Sequence, residues 1–172
     1  DDIKQNSVWA IFGSLVIVFF YILLRFQKWQ FSLGAVSAVF HDVLIVLGIF
    51  SLTYKIMPFN MEINQAFIAA LLTVIGYSLN DTVVVFDRIR EFFRIHKSWD
   101  NETTVNTALN STLSRTLNTS LTTLIVLIAI FIFGGESIRG FMFALIIGVM
   151  VGTYSSVFIA TPIMFDSYKK KV

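Results

Sequence analysis

The 172-residue chain is 56% hydrophobic and 14% charged, with 18 Phe, no Cys and a formal net charge of +2. At a mean hydropathy of +0.76 it is too apolar for a water-soluble domain, and without Cys it forms no disulfide. Its charges fall in clusters between long uncharged runs, the pattern of a polytopic helical membrane protein.

A spanning helix needs about 20 mostly apolar residues to cross a hydrocarbon core about 30 Å thick. Five stretches meet this requirement: 8–26, 31–54, 64–86, 115–134 and 138–165. None alternates apolar and polar residues as the strands of a bacterial β-barrel do. The expected fold is therefore an all-α membrane protein, a five-transmembrane-helix bundle forming one module over residues 1–172. Short turns join the first two helices and the last two, making antiparallel hairpins. The 55–63 connection is broken by Pro58. The longest connection, 87–114, carries Asp100 as a candidate N-cap, and Val105, Ala108, Leu109, Thr112 and Leu113 then share one helical face. The spacing predicts an amphipathic helix that runs into the fourth span. In the last span Gly140, Ala144, Gly148, Gly152, Ser156 and Ala160 recur every four residues, a stripe that lets another helix approach closely.

Lys and Arg set the orientation. Arg25, Lys28, Arg88, Arg90, Arg94, Lys97 and Lys169 to Lys171 lie on one side, and Lys4, Lys55 and Arg139 on the other. With Arg115 set aside, the first side is expected to be cytoplasmic, together with the C-terminus and the 87–114 connection. An isoelectric point near 9.0 then reflects contact with anionic lipid and not nucleic acid. Five spans with a cytoplasmic C-terminus put residue 1 outside. The opening DDIKQNS has no basic region or cleavage site, so an upstream segment is expected to deliver it across the membrane.

Polar residues interrupt three spans. Asp81 lies about six residues from the cytoplasmic end of the third span, with Tyr77, Ser78 and Arg88 on its face and Asn80 and Thr82 beside it. Arg115 opens the fourth span. Asn118, Thr119 and Thr122 follow on its stripe, with Thr116, Ser120 and Thr123 on another. A helix polar nearly all round for two turns suits the interior of a bundle. His41 and Asp42 sit in mid-span, with Gly34 and Ala38 on the Asp42 face. Asp42 is about twelve residues from the cytoplasmic end, which puts it roughly 9 Å deeper than Asp81. A charged carboxyl at mid-membrane costs on the order of 3 kcal/mol. A static Asp81–Arg115 pair would fix helix packing, and His41–Asp42 reads as a satisfied polar pair. A working pair behaves differently. Burial favours the neutral acid and a nearby guanidinium the carboxylate, so helices that move apart and together would make Asp81 take up and release a proton.

The stretch GYSLNDTVVVFDRIRE (76–91), with SRTLNTSLTTL (114–124), GTYSSVFIATPI (152–163) and His41-Asp42, resembles the SecF family of protein-export membrane proteins, part of the resistance–nodulation–division superfamily. The resemblance covers nearly the whole chain. It implies a C-terminal transmembrane module that lacks the family's first helix and extracytoplasmic domain. It implies that Asp81 and Arg115 are proton-relay residues, with Asp42, His41, Asn80, Asn118 and Thr119 as secondary polar candidates. The implied function is proton-motive-force-driven preprotein translocation in the bacterial inner membrane, without covalent catalysis. No cofactor or metal is implied, and Na⁺ is the alternative coupling ion. The implied partners are SecD, separate or fused, the SecYEG channel with SecA, YidC, the unfolded preprotein and lipid. The rival readings are a small-molecule proton antiporter of the same superfamily, a static scaffold subunit, and an intramembrane aspartyl protease using Asp42 and Asp81. The unequal depths of those two residues argue against the protease.

Overall fold

The computed structural model describes residues 2–169, with side chains over 9–168. The charges of Lys4 and of Lys169 to Lys171, used above for orientation, lie outside the described side chains. Six α-helices follow in order: α1 (Asp2–Phe26), α2 (Trp29–Thr53), α3 (Gln65–Ile95), α4 (Asn101–Phe133), α5 (Glu136–Ser155) and α6 (Thr161–Lys169). A π-helical turn, Ser156–Ala160, joins the last two. No strand occurs among the described residues. Five segments are long and apolar enough to span a membrane, the fifth running continuously over Glu136–Tyr168.

Local chemistry sets most helix ends. The α1 helix stops at Gln27, whose φ of 55° is left-handed and whose N–H donates to the Leu23 carbonyl at 2.8 Å. Asn64 caps α3 by accepting from the Phe67 N–H at 3.1 Å. Asp100 caps α4 by accepting from the Thr103 N–H at 2.9 Å, as its spacing predicts. The bond holds the Asp100 carboxyl below its usual range, because an N–H donor favours the ionised form. Pro162 has no N–H to give to the carbonyl four residues back. The helix widens just before it, and the Thr161 hydroxyl donates to the Ser156 carbonyl at 3.0 Å.

At about 1.5 Å per residue the 31 residues of α3 and the 33 of α4 extend well beyond a bilayer core. Residues 87–114 are the continuation of α3 to Ile95, a five-residue turn, and the first turns of α4. Ile89, Val105 and Ala108 are buried there and join the same core as Phe26, Phe31 and Phe86. Phe31 packs edge-on against Phe86 at 5.0 Å and stacks on Phe26 at 5.1 Å. Leu113, expected on the same face, is exposed.

The most extensive packing is between α3 and α5, with α2 against both. The small-residue stripe of α5 makes this possible, and its partners lie within the chain. A Cβ at Gly148 would collide with the Val74 side chain, and one at Gly152 would come within 3.1 Å of Ser78 Cβ. The α1 and α4 helices are peripheral. In their spanning windows only 17% and 11% of residues are buried. A helix polar on most sides was expected inside the bundle, yet α4 is held on one side only, by α3 and α5. Arg115, Asn118, Thr119 and Thr122 are on its exposed surface.

Candidate functional site

Two carboxylates are buried among the spans, and their surroundings differ. Asp42 of α2 is completely buried. Its Oδ2 accepts from the Ser78 hydroxyl of α3 at 2.6 Å and from the Ser155 hydroxyl of α5 at 2.7 Å. Its Oδ1 lies 3.1 Å from His41 Nδ1. Three helices thus meet on one carboxyl whose oxygens both have partners. Gly152 allows this, since any side chain there would push Ser78 away.

Asp81 of α3 is 3% exposed, and its one hydrogen-bond partner among the described residues is the Ser120 hydroxyl at 3.5 Å. That distance is at the limit of a hydrogen bond. The same Ser120 oxygen lies 2.5 Å from Thr153 Oγ1 of α5. Thr153 also donates to the Val149 carbonyl at 2.8 Å, so the Ser120 hydroxyl is shared between a close Thr153 and a more distant Asp81. The Tyr77 hydroxyl approaches Ser120 at 3.4 Å and Thr123 at 3.5 Å. The α3, α4 and α5 helices therefore share a polar junction in which the carboxylate is the least well satisfied member. Two further buried hydroxyls, Thr82 Oγ1 and Thr116 Oγ1, have no hydrogen-bond partner.

Arg115 forms no ion pair with Asp81 among the described residues. It lines a cavity of about 450 Å³ with Asp87, Arg88, Glu91, Ser111 and Thr112, at the end of α3 near the α4 start. From there Thr112, Thr116 and Ser120 form a buried polar face on α4, spaced four apart, that leads toward Asp81. Arg88, on the Asp81 stripe by spacing, is committed elsewhere. It donates to Glu91 at 2.7 Å and to Ser111 at 3.0 Å, and its guanidinium lies over the Phe92 ring. Asn80, Asn118 and Thr119 are exposed. The Thr119 hydroxyl bonds back to its own helix at Thr116, 2.9 Å away.

Two expectations change. Ser78 shares the Asp81 face by spacing but bonds to Asp42. That bond puts Asp42 level with Ser78, three residues and about 4.5 Å along the axis from Asp81, not roughly 9 Å. Counting from helix ends fails because α3 runs on to Ile95, so its end is no marker of depth. The protease rival fails on orientation: Asp42 is engaged by α3 and α5, Asp81 by α4. Ser155 and Thr153 were not singled out. Their signal was a run of hydroxyls, Thr153, Ser155 and Ser156, in the small-residue helix.

Comparison with known proteins is decisive for the family. Residues 1–170 match the family described as protein export membrane protein SecD/SecF, C-terminal. The chain belongs to this SecD/SecF family. It is 57% identical over 166 residues to a protein translocase subunit SecF of Rhodothermus marinus, covering 96% of this chain and 54% of that one. It is 43% identical to its counterpart in Haemophilus influenzae, covering 96% and 49%. A crystal structure of SecDF in a super-membrane-facing form superposes with a TM-score of 0.86 at 38% identity, over 99% of this chain and 22% of that one. The chain thus spans about half the length of the curated SecF relatives it matches. The five-span all-α architecture is that of the SecDF membrane module.

Proposed function

We propose that this chain is the transmembrane module of a protein-export subunit that couples proton movement to late steps of preprotein translocation, with Asp81 as the proton-carrying group. The observation that carries this reading is the contrast between the two buried carboxylates. Asp42 has strong partners on α3 and α5, whereas among the described residues Asp81 has one at 3.5 Å and no ion pair. A carboxyl so weakly held can change protonation without breaking a bonded network. Arg115 supplies the counter-charge. An approach of α4 to α3 brings the guanidinium to the carboxylate, and withdrawal leaves the acid neutral. Each charge crossing the membrane releases about 2.3 kcal/mol per 100 mV, so mechanical work draws on several protons per cycle.

The exposed polar residues of α4 favour a second transmembrane half against this helix. The family resemblance supplies SecD, separate or fused, as that half, and the SecYEG channel with SecA, together with YidC, as the surroundings. The Lys and Arg distribution supports a cytoplasmic C-terminus. The test uses the full SecD–SecF complex. Asp81→Asn and Arg115→Met are expected to abolish proton-dependent export while the complex still assembles. Normal export by both variants would leave a scaffold and no relay. Infrared difference spectroscopy supplies the direct readout. A carboxyl band that titrates between about pH 5 and 9 and disappears in Asp81→Asn marks a proton carrier.

A further inference from the structure

At the end of the bundle where the α1–α2 turn, the start of α4 and α6 come together, a cavity of about 470 Å³ is lined by Leu23, Gln27, Lys28, Trp29, Gln30, Asn101 and Tyr168. Its size is within the range of small-ligand sites. Its one charged lining residue is Lys28. The α2 helix begins at Trp29, and Lys28 at its N-cap makes no side-chain cap bond; the Phe31 N–H donates to the Lys28 carbonyl at 3.3 Å, which leaves the N–H groups of Trp29 and Gln30 without an intrahelical acceptor. Lys28 Nζ donates to the Tyr168 hydroxyl at 2.8 Å, which leaves two of its three N–H donors without a partner among the described residues.

The second observation is Gln30. Its side chain is inside the protein, at 4% exposure, it lines this cavity, and it has no hydrogen-bond partner among the described residues. An amide so largely enclosed by protein depends on the cavity for its hydrogen-bond partners. It lines the same cavity as the lysine and the start of α2, so one acceptor seated there could be shared by all three. Positive charge and helix N–H groups select an oxyanion. Trp29, 47% exposed, and Lys28 are the residue types that anchor at headgroup level, which sets the depth of the cavity.

We propose that this cavity binds a phosphate oxyanion, supplied by the headgroup of an anionic phospholipid in the leaflet at the C-terminal end of the bundle. Lys28 would provide charge, Gln30 and the α2 start hydrogen bonds, and Tyr168 the position of the lysine. The lipid would then tie the α1–α2 hairpin to α4 and α6.

The experiment uses the full-length protein with its partner half in detergent, titrated with phosphatidylglycerol or phosphatidylcholine and read by native mass spectrometry. One phosphatidylglycerol is expected to be retained in preference to phosphatidylcholine. Lys28→Ala, a change at an exposed side chain, and Lys28→Ala with Gln30→Leu should lower retention, the double variant by about tenfold. Lys28→Arg should restore it. Displacement of the lipid by about 10 mM inorganic phosphate would support the oxyanion site and assign it to free phosphate as well. Equal retention of both lipids, or equal retention by wild type and double variant, would overturn the proposal. Lipid retention is read without any export assay, so this result stands apart from the proton-relay reading.

Discussion

Replacing Asp42 should damage the fold where replacing Asp81 does not. In Asp42→Ala the Ser78 and Ser155 hydroxyls lose acceptors at 2.6 and 2.7 Å. A buried hydroxyl left without a partner costs about 1–3 kcal/mol in water-soluble proteins, whereas interhelical bonds in membranes average about 0.6 and reach about 1.7 kcal/mol. Ser155 has a fallback, since it also donates to the Gly152 carbonyl at 3.2 Å. Ser78 has no second acceptor among the described residues. The sum is a loss of about 1–3 kcal/mol. Asp42→Asn should lose much less, because both serines donate to the same oxygen, Oδ2, and an amide carbonyl can accept both. Asp81→Asn should change stability by less than about 0.5 kcal/mol, since it gives up one contact at 3.5 Å. Thermal or denaturant unfolding of the three purified variants in one detergent measures the order. If Asp81→Asn proves as destabilising as Asp42→Ala, the division into a structural and a mobile carboxylate is wrong.

Glycines give a second contrast. Gly148→Ala should lower the free energy of unfolding through its clash with Val74, by about 1–3 kcal/mol. Gly76→Ala, with nothing within 4 Å of the new methyl group, should be neutral or slightly stabilising. The cap of α4 should respond to acid. The folded-state pKa of Asp100 is depressed by the Thr103 N–H, so its contribution is present above the unfolded value near 4 and lost as pH falls through the folded one. The protection of the Thr103 and Thr104 amides, measured against their intrinsic exchange rates, should therefore fall below about pH 4, and Asp100→Asn should remove that dependence. Asn118→Leu, on the exposed surface of α4, should leave the unfolding of this module unchanged. It should weaken co-purification with the second transmembrane half, and undiminished co-purification would exclude that surface as the contact.

The sequence alone carried whatever depends on one helix at a time. Span number follows from apolar run length, the α4 start from Asp100 and the N–H groups it can reach, and the approach of α5 from small residues every four positions. These are consequences of a 3.6-residue period and a fixed bilayer thickness, and both are local. Tertiary structure decided which polar groups meet. Spacing put Ser78 with Asp81, but the crossing of α2, α3 and α5 gives it to Asp42. Spacing also made α4 an interior helix, but helices on one side only leave Arg115 and Asn118 uncovered. The relative depth of Asp42 and Asp81 depended on how far each helix runs past the membrane. Periodicity places a residue on a face. The axial register between two helices is set by their contact, here Gly148 on Val74 and Gly152 on Ser78, and no single helix contains that information.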